Sequence, residues 1–202
     1  MNTATRPTAD KKLTLKDGSK VSIRPILLED LDAVYGFFKA LPEEDRAYLR
    51  FDVTDREVVE ERLREIQKWG RLKRLVACVD ENIVGTGVLE LRDSEKDFNL
   101  AELRLIVGHD FQRQGLGMLL ARELYFLAAR EKISELRVHI LRPQEAALSI
   151  FRRLGFHAVE VLEDAATDRY GKLQDVVILA CPLEGLWREM ESLVEDFDIQ
   201  HR

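Results

Sequence analysis

The residue types and spacing best suited to chemistry occupy one short segment, Gln112-Arg113-Gln114-Gly115-Leu116-Gly117. An apolar run, Leu103 to Val107, precedes this segment, and an amphipathic stretch follows it as far as Lys132. This order predicts a strand, a glycine-bearing turn and the start of a helix. Glycine lets a backbone turn its N–H groups toward one point, where the positive end of the following helix also lies. The segment therefore predicts a turn that can hold a phosphate.

Two familiar phosphate-binding loops do not fit this turn. A dinucleotide fingerprint requires a third glycine three positions after Gly117, where Leu120 stands. A P-loop requires Gly-Lys-Ser/Thr five residues after its first glycine, and neither Gly108 nor Gly115 begins such a run. Taken alone, the turn is compatible with a purely structural role or with another phosphate ligand.

Two flanking motifs narrow the choice of ligand. Ala101-Glu102-Leu103 opens the strand before the turn, and the segment from Gln144 to Phe156 reads Gln-x-x-Ala-x-x-Ile-Phe-x-x-x-Gly-Phe. With the Gln/Arg-x-x-Gly-x-Gly/Ala turn between them, these motifs resemble those of the GNAT family of N-acetyltransferases. The resemblance covers roughly Leu13 to Pro182 and implies that the ligand is coenzyme A.

The resemblance implies an α/β (α+β) fold with a mixed, mostly antiparallel central sheet of six to seven strands. Helices would cover both faces of the sheet, and a splayed pair of strands would hold acetyl-CoA as cosubstrate. Backbone amides of the strand would serve pantetheine and the thioester, and those of the turn would serve the pyrophosphate. The coenzyme-binding positions so implied are Leu105, Ile106, Val107, Gln112, Arg113, Gln114, Gly115, Leu116, Gly117, Met118, Gln144 and Phe151.

Acetyl transfer from a thioester requires a neutral amine, and so a base that removes the ammonium proton. Glu102 is the first candidate, although a glutamate there could equally face solvent or form a salt bridge. The resemblance favours the catalytic role, because bacterial protein-lysine acetyltransferases with a GNAT domain carry their base at the glutamate of this Ala-Glu pair. Glu90 in the preceding strand is the second candidate, and His139 and His109 are weaker ones.

Two positions of the second motif depart from the common family pattern. Gln144 replaces an asparagine and keeps an amide that can bind the coenzyme. Phe151 replaces a tyrosine that protonates the leaving thiolate, and phenylalanine has no proton to give. Three accounts stay open: the thiolate leaves unprotonated or takes a proton from water, Tyr170 substitutes, or the domain binds coenzyme with little catalysis.

The acyl acceptor is the least determined part of the prediction. The segments from Asp17 to Ile26 and from Arg46 to Phe51 resemble the start of the acetyltransferase domain of bacterial protein-lysine acetyltransferases. The predicted function is direct transfer of acetyl from acetyl-CoA to a primary amine of a small molecule or a protein lysine. The alternative is an acetyl-CoA-binding regulatory module with little or no catalysis.

Composition excludes several other function classes. A formal charge of −6 on 202 residues argues against general binding to nucleic acid or anionic membranes. No apolar run approaches the roughly 20 residues that span a bilayer, so a cytoplasmic protein is expected. Cys78 and Cys181 lack partners at ligand spacing, and the four histidines are scattered, so no metal is expected.

The chain divides into three parts: a polar mobile tail at 1–12, the acetyltransferase domain at 13–182 and an amphipathic helical extension at 183–202. The extension could pack on its own domain or form a homodimer or partner surface. Within the domain, periodicity predicts a strand, two helices, three strands, a helix, a strand, a helix and two strands. Thr54 and Glu57 have the spacing of a capping box at the start of the second helix.

Overall fold

The computed structural model describes residues 11–46, 49, 51–92, 99–167 and 171–183. Its strands are β1 Lys11–Thr14, β2 Lys20–Pro25, β3 Leu72–Val79, β4 Asn82–Leu91, β5 Leu100–Val107, β6 Glu135–Leu141, β7 His157–Thr167 and β8 Leu173–Pro182. Its α-helices are α1 Leu31–Ala40, α2 Glu43–Arg46, α3 Arg56–Trp69, α4 Leu116–Arg130 and α5 Glu145–Arg153. No helix in these ranges is long and apolar enough to cross a membrane.

Within the described residues, eight strands form one sheet in the order β1-β2-β3-β4-β5-β6-β8-β7. Neighbours are antiparallel except β5 and β6, which are parallel. The predicted mixed, mostly antiparallel sheet is confirmed, with one strand more than the six to seven expected. The additional strand is β1, which begins inside the segment predicted to be a tail. Its four residues are too few to show a clear alternation in the sequence.

Helix α4 covers one face of the sheet. Its apolar positions Leu116, Leu120 and Leu124 are fully buried, as their helical spacing predicts. The helix lies very close to β4, since a Cβ added at Gly87 would lie 2.7 Å from Leu124 Cδ1. A larger residue at Gly87 would have to displace the Leu124 side chain.

Helices α1 and α3 cover the opposite face, packing Val34, Phe38 and Leu63 against Val76 of β3. The cap of α3 differs from the prediction: Asp55, not Thr54, accepts hydrogen bonds from the amides of Glu57 and Val58. Asp55 stands one residue nearer the helix, and its shorter reach to these amides lets it take the capping position.

The C-terminal segment 184–202, most of the N-terminal tail and Tyr170 lie outside the described residues. Cys78 and Cys181 are buried in the core and form no disulfide. No group of three or more His, Cys, Asp or Glu within the described ranges could hold a metal ion.

Candidate functional site

The site is built around a gap between β5 and β6. These parallel strands pair only from Leu100–Glu135 to Glu102–Arg137, and both strands then continue without pairing each other. On its other edge, β5 remains paired to β4 as far as Val107. The edge of β5 that faces the gap therefore presents backbone groups with no partner strand, which confirms the predicted splayed pair.

The segment at 112–118, here called the amide loop, begins close to the end of β5. A 3-10 turn at His109–Phe111 leads into it, and Arg113 and Gly115 adopt left-handed backbone conformations with φ of 61° and 89°. Helix α4 then starts at Leu116. Among the backbone hydrogen bonds made outside the regular elements, none within the described residues is donated by an amide of residues 113–118. These donors lie at the positive end of a buried helix, which suits a phosphate group.

Gly117 gives an independent test of whether the amide loop fits a ligand. A Cβ added there would meet one neighbour within 4 Å, Val107 Cγ2 at 3.8 Å, which is ordinary contact. The fold could therefore accommodate a side chain at Gly117, and the glycine keeps space open beside the first helical amides. A pyrophosphate in contact with the backbone needs this space.

The glutamine side chains of the amide loop support its backbone. Gln112 Nε2 donates to the Val107 carbonyl at 3.4 Å, and Gln114 Nε2 donates to the Asp110 carbonyl at 3.0 Å. The backbone carbonyl of Gln114 also accepts a hydrogen bond from the backbone amide of Lys16 at 3.2 Å. Arg113 is exposed, and Met118 is partly buried against the core.

Charged side chains occupy the sheet face opposite α4. Alternation along β5 directs Leu103 and Leu105 toward the α4 core and Ile106 toward the α1 and α3 core. Glu102 and Arg104 therefore share the face of Ile106. A ligand that passes through the gap from the amide loop would reach this second face.

Glu90, Arg92, Glu102 and Arg104 form what we call the charged cluster. Arg92 Nη2 donates to Glu102 Oε2 at 2.5 Å, and Arg104 Nη1 lies 3.5 Å from Glu102 Oε1. Arg104 Nη2 also donates to Glu90 Oε2 at 2.6 Å. The Glu102 side chain is 1% exposed and that of Glu90 is 30% exposed. The salt-bridged alternative considered for Glu102 is thus the arrangement observed, and Glu90 is the more accessible carboxylate.

Arg74 of β3 is a polar residue of this face that the sequence did not reveal. It is in register with Val88, which is in turn in register with Arg104, so the three side chains share one face. The buried Nε of Arg74 has no hydrogen-bond partner among the described residues. Burial, and to a lesser extent the neighbouring charge of Arg104, lowers the pKa of Arg74 to about 10.

Gln144 and Phe151 occupy different environments. Gln144 occupies the N-cap position of α5 without a side-chain capping bond, and its Oε1 accepts from the amide of Leu141 at the end of β6, at 3.1 Å. Its side-chain amide therefore lies near the end of the strand that borders the gap. The ring of Phe151 is 6% exposed and packs edge-on against Phe156 with ring centroids 5.2 Å apart. Phe151 is a core residue here, and its predicted contact with the coenzyme stays a prediction.

The two candidate histidines lie at different parts of the site. His139 of β6 is exposed, and its position two residues after Arg137 places it on the face of Glu102, across the gap. His109 is exposed in the 3-10 turn before the amide loop. The geometry therefore places His139 nearer the charged cluster than His109.

Comparison with known proteins gives a consistent result. A model of the acetyltransferase (GNAT) family matches residues 37–156. The structure of Mycobacterium smegmatis RimJ in complex with CoA-disulfide has a TM-score of 0.77 at 16% identity, covering 95% of this chain and 97% of that one.

Two further solved structures share the fold. Ribosomal-protein-S5-alanine acetyltransferase from Vibrio fischeri has a TM-score of 0.73 at 13% identity, covering 88% of this chain and 99% of that one. The GNAT domain of S. lividans PAT has a TM-score of 0.70 at 18% identity, covering 86% of this chain and 96% of that one. At these identities the structures establish a shared fold.

Proposed function

Because the chain belongs to the acetyltransferase (GNAT) family, we propose that it transfers acetyl directly from acetyl-CoA to a primary amine, with a protein lysine as the first acceptor class. The observation that carries this proposal is the gap between β5 and β6. The gap begins after Glu102 of the charged cluster and extends along β5 to Val107, close to the start of the amide loop. One ligand can therefore contact phosphate-binding amides and present its reactive end to carboxylates.

The residues that would hold the coenzyme follow from this geometry. The free amides of 113–118, the opening beside Gly117 and the positive end of α4 suit the pyrophosphate. The unpaired edge of β5 from Leu105 to Val107 suits an extended arm that hydrogen-bonds as a strand would. Gln144 would complete the site from the β6 side through its Nε2 group, since its Oε1 is already bonded.

The coenzyme supplies an activated acyl group as a thioester. Backbone N–H groups on the open edge of β5 would donate to the acyl oxygen as it gains negative charge. Glu102 would accept the ammonium proton of the amine, and a water would relay it because both Glu102 oxygens already contact guanidinium groups. Glu90 is the alternative acceptor of that proton, since it lies opposite Glu102 in the β4–β5 register and is more exposed.

The absence of a hydroxyl at Phe151 is compatible with this chemistry. A thiolate is a good leaving group near neutral pH and can take its proton from water. The packing of Phe151 against Phe156 gives the ring a structural role that does not depend on catalysis. The proposal therefore assigns no proton donor to this position.

An acceptor screen tests the proposed function. Purified protein and acetyl-CoA would be incubated with lysine peptides, peptides with a free N-terminal α-amine and small amines, and the acetylated products would be identified by mass spectrometry. We expect acetylation of lysine side chains with release of an equal amount of free thiol. Tight binding of acetyl-CoA without modification of any acceptor would instead establish the regulatory alternative.

A further inference from the structure

Arg74 has no described partner for its charge, although it lies beside a cluster in which the other charges are paired. Glu90 and Glu102 accept hydrogen bonds from Arg104 and Arg92. The side chain of Arg74 makes no hydrogen bond or ion pair with any described residue, and its Nε is buried. Arg74 and the charged cluster together therefore contain three guanidinium groups and two carboxylates, one positive charge more than negative.

We infer that Arg74 binds an anionic group of the acyl acceptor, so that the amine substrate carries a carboxylate near its reactive nitrogen. This inference rests on the proposed function, because it names the substrate class of the same site. A carboxylate is the natural partner of a guanidinium, since the two planar groups form parallel charge-assisted hydrogen bonds.

Burial explains why the charge of Arg74 calls for a ligand. A buried polar group without a partner is costly, and a buried charge is more costly still. Burial and the charge of Arg104 both lower the pKa of Arg74, to about 10, yet the group remains cationic at neutral pH. The fold thus retains a cation without a described partner beside the charged cluster, and perturbed ionisable groups of this kind concentrate at functional sites.

The sheet spacing limits how far apart the amine and carboxylate can be. Arg74 lies two strands from β5, which is roughly 10 Å across the sheet at about 4.8 Å per strand. Its long side chain shortens that separation. An acceptor could therefore contact Arg74 and Glu102 together if its carboxylate and amine are separated by a few bonds or lie on neighbouring residues of a peptide. Two sources have this chemistry: a free amino acid, and a peptide with an acidic side chain beside the acetylated lysine.

Acceptor pairs that differ only in the carboxylate test the inference. One pair is free lysine and lysine amide, and the other is a lysine peptide with Glu or Gln in the next position. We expect kcat/KM to favour the carboxylate member of one pair about tenfold, the usual effect of one hydrogen-bonded charge. The pair that shows the preference identifies the source of the carboxylate.

Variants of β3 assign the preference to Arg74. In Arg74→Gln, the two members of the pair should react with nearly equal kcat/KM, while affinity for acetyl-CoA is unchanged. Lys73→Gln is the matched control, because it removes the same charge from the same strand on the opposite face, where Lys73 pairs with Glu131 at 3.2 Å. It should keep the preference.

The outcomes separate this inference from the proposed function. Acetylation of amines with no carboxylate preference in the unaltered protein would overturn the inference alone, as would a preference that persists in Arg74→Gln. Failure to acetylate any amine would overturn both. The acceptor pairs decide the question with the unaltered protein even if Arg74→Gln does not fold, and Arg74→Lys, which keeps the charge, should retain part of the preference.

Discussion

The amide loop and the face that carries Arg74 are both suited to anions, but they are built in opposite ways. The loop uses consecutive backbone N–H groups at the start of α4 and needs no side-chain charge in contact with the ligand. Arg74 uses a full charge on a side chain, partly buried beside side chains from β4 and β5. The backbone site would accept the ligand common to every reaction cycle, whereas the side-chain site would select the acceptor.

The two constructions also respond differently to substitution. Backbone donors persist under most changes of side chain, so only a residue that fills the space above them should abolish binding. A site made of side chains loses its specificity when a single residue changes. Four changes, taken in order of decreasing effect, test this contrast.

Gly117→Glu should weaken acetyl-CoA binding the most. It fills the open space beside the loop amides and places a carboxylate next to a phosphate. Like charges about 4 Å apart near a protein surface repel by about 4 kcal/mol, which corresponds to an increase in Kd of about 1000-fold. Isothermal titration calorimetry would measure the Kd for acetyl-CoA. Gly36→Glu is the control, since Gly36 lies in α1 and a Cβ added there would meet no atom within 4 Å beyond its chain neighbours and its own helix backbone. Equal affinities for the two variants would contradict the assignment of the loop.

Glu102→Gln should reduce turnover without a large change in coenzyme affinity. A general base typically contributes 100-fold or more, so we expect kcat to fall about 100-fold near neutral pH. The loss should diminish at high pH, where the acceptor amine is already neutral. Steady-state rates across pH would measure this for Glu102→Gln and for Glu90→Gln. A larger and more pH-dependent loss in Glu90→Gln would transfer the role of base to Glu90.

Arg74→Met should raise the free energy of unfolding, by about 1 to 2 kcal/mol, because it replaces a partly buried charge that has no described partner with an apolar side chain. Arg104→Met should lower it by about 2 kcal/mol, because that change removes a partner of Glu90 and Glu102. Urea unfolding at pH 7 would measure both. A loss of stability in Arg74→Met as large as in Arg104→Met would show that Arg74 is a structural residue.

Asp30→Asn should have the smallest effect and a defined pH dependence. Asp30 is the paired counterpart of the Arg74 arrangement, since Arg24 contacts both its oxygens at 2.7 Å. Burial tends to raise the pKa of Asp30, but hydrogen bonds from Arg24 and from the Leu27 amide outweigh it and lower the pKa below 3.8.

A carboxyl group whose pKa is lowered by folding stabilises the fold at pH values above its unfolded pKa. That contribution is lost as the pH falls through the lower pKa of the folded state. Asp30→Asn should therefore cost about 1 kcal/mol at pH 7, and the difference from the unaltered protein should shrink below about pH 4. Urea unfolding at pH 7 and pH 3 would measure this. An equal difference at both values would contradict the ionic contribution of Asp30.

The contrast between the two regions also explains what the sequence could predict. The amide loop was predictable because its functional groups are consecutive and two glycines mark the turn, with a strand before it and an amphipathic helix after it. The splayed strands followed from the family resemblance and are present at β5 and β6. Local spacing was sufficient for the loop, whereas the splayed strands required the family resemblance.

Long-range register was needed for the rest. Nothing local relates Arg74 to Arg104, and the apolar run that predicts β3 begins only at Leu75, one residue after Arg74. The ion pair between Arg92 and Glu102 likewise depends on the chain reversal from β4 to β5, whereas Arg104 lies two residues after Glu102 on the same strand. Even the cap of α3 was misassigned by one residue, because Thr54 and Asp55 are both good caps and only the backbone decides between them.

The close contact between α4 and β4 has a consequence for how the amide loop would bind. The Leu124 side chain of α4 fills the space beside Gly87, and the helix packs against the strand there. The last three loop amides, of residues 116–118, belong to the first turn of that helix, and the Lys16 amide donates to the backbone carbonyl of Gln114 in the same loop. These donors lose their conformational freedom when the chain folds, so a ligand would meet them already oriented. Binding should then require little ordering entropy, and association should be fast with small backbone movement.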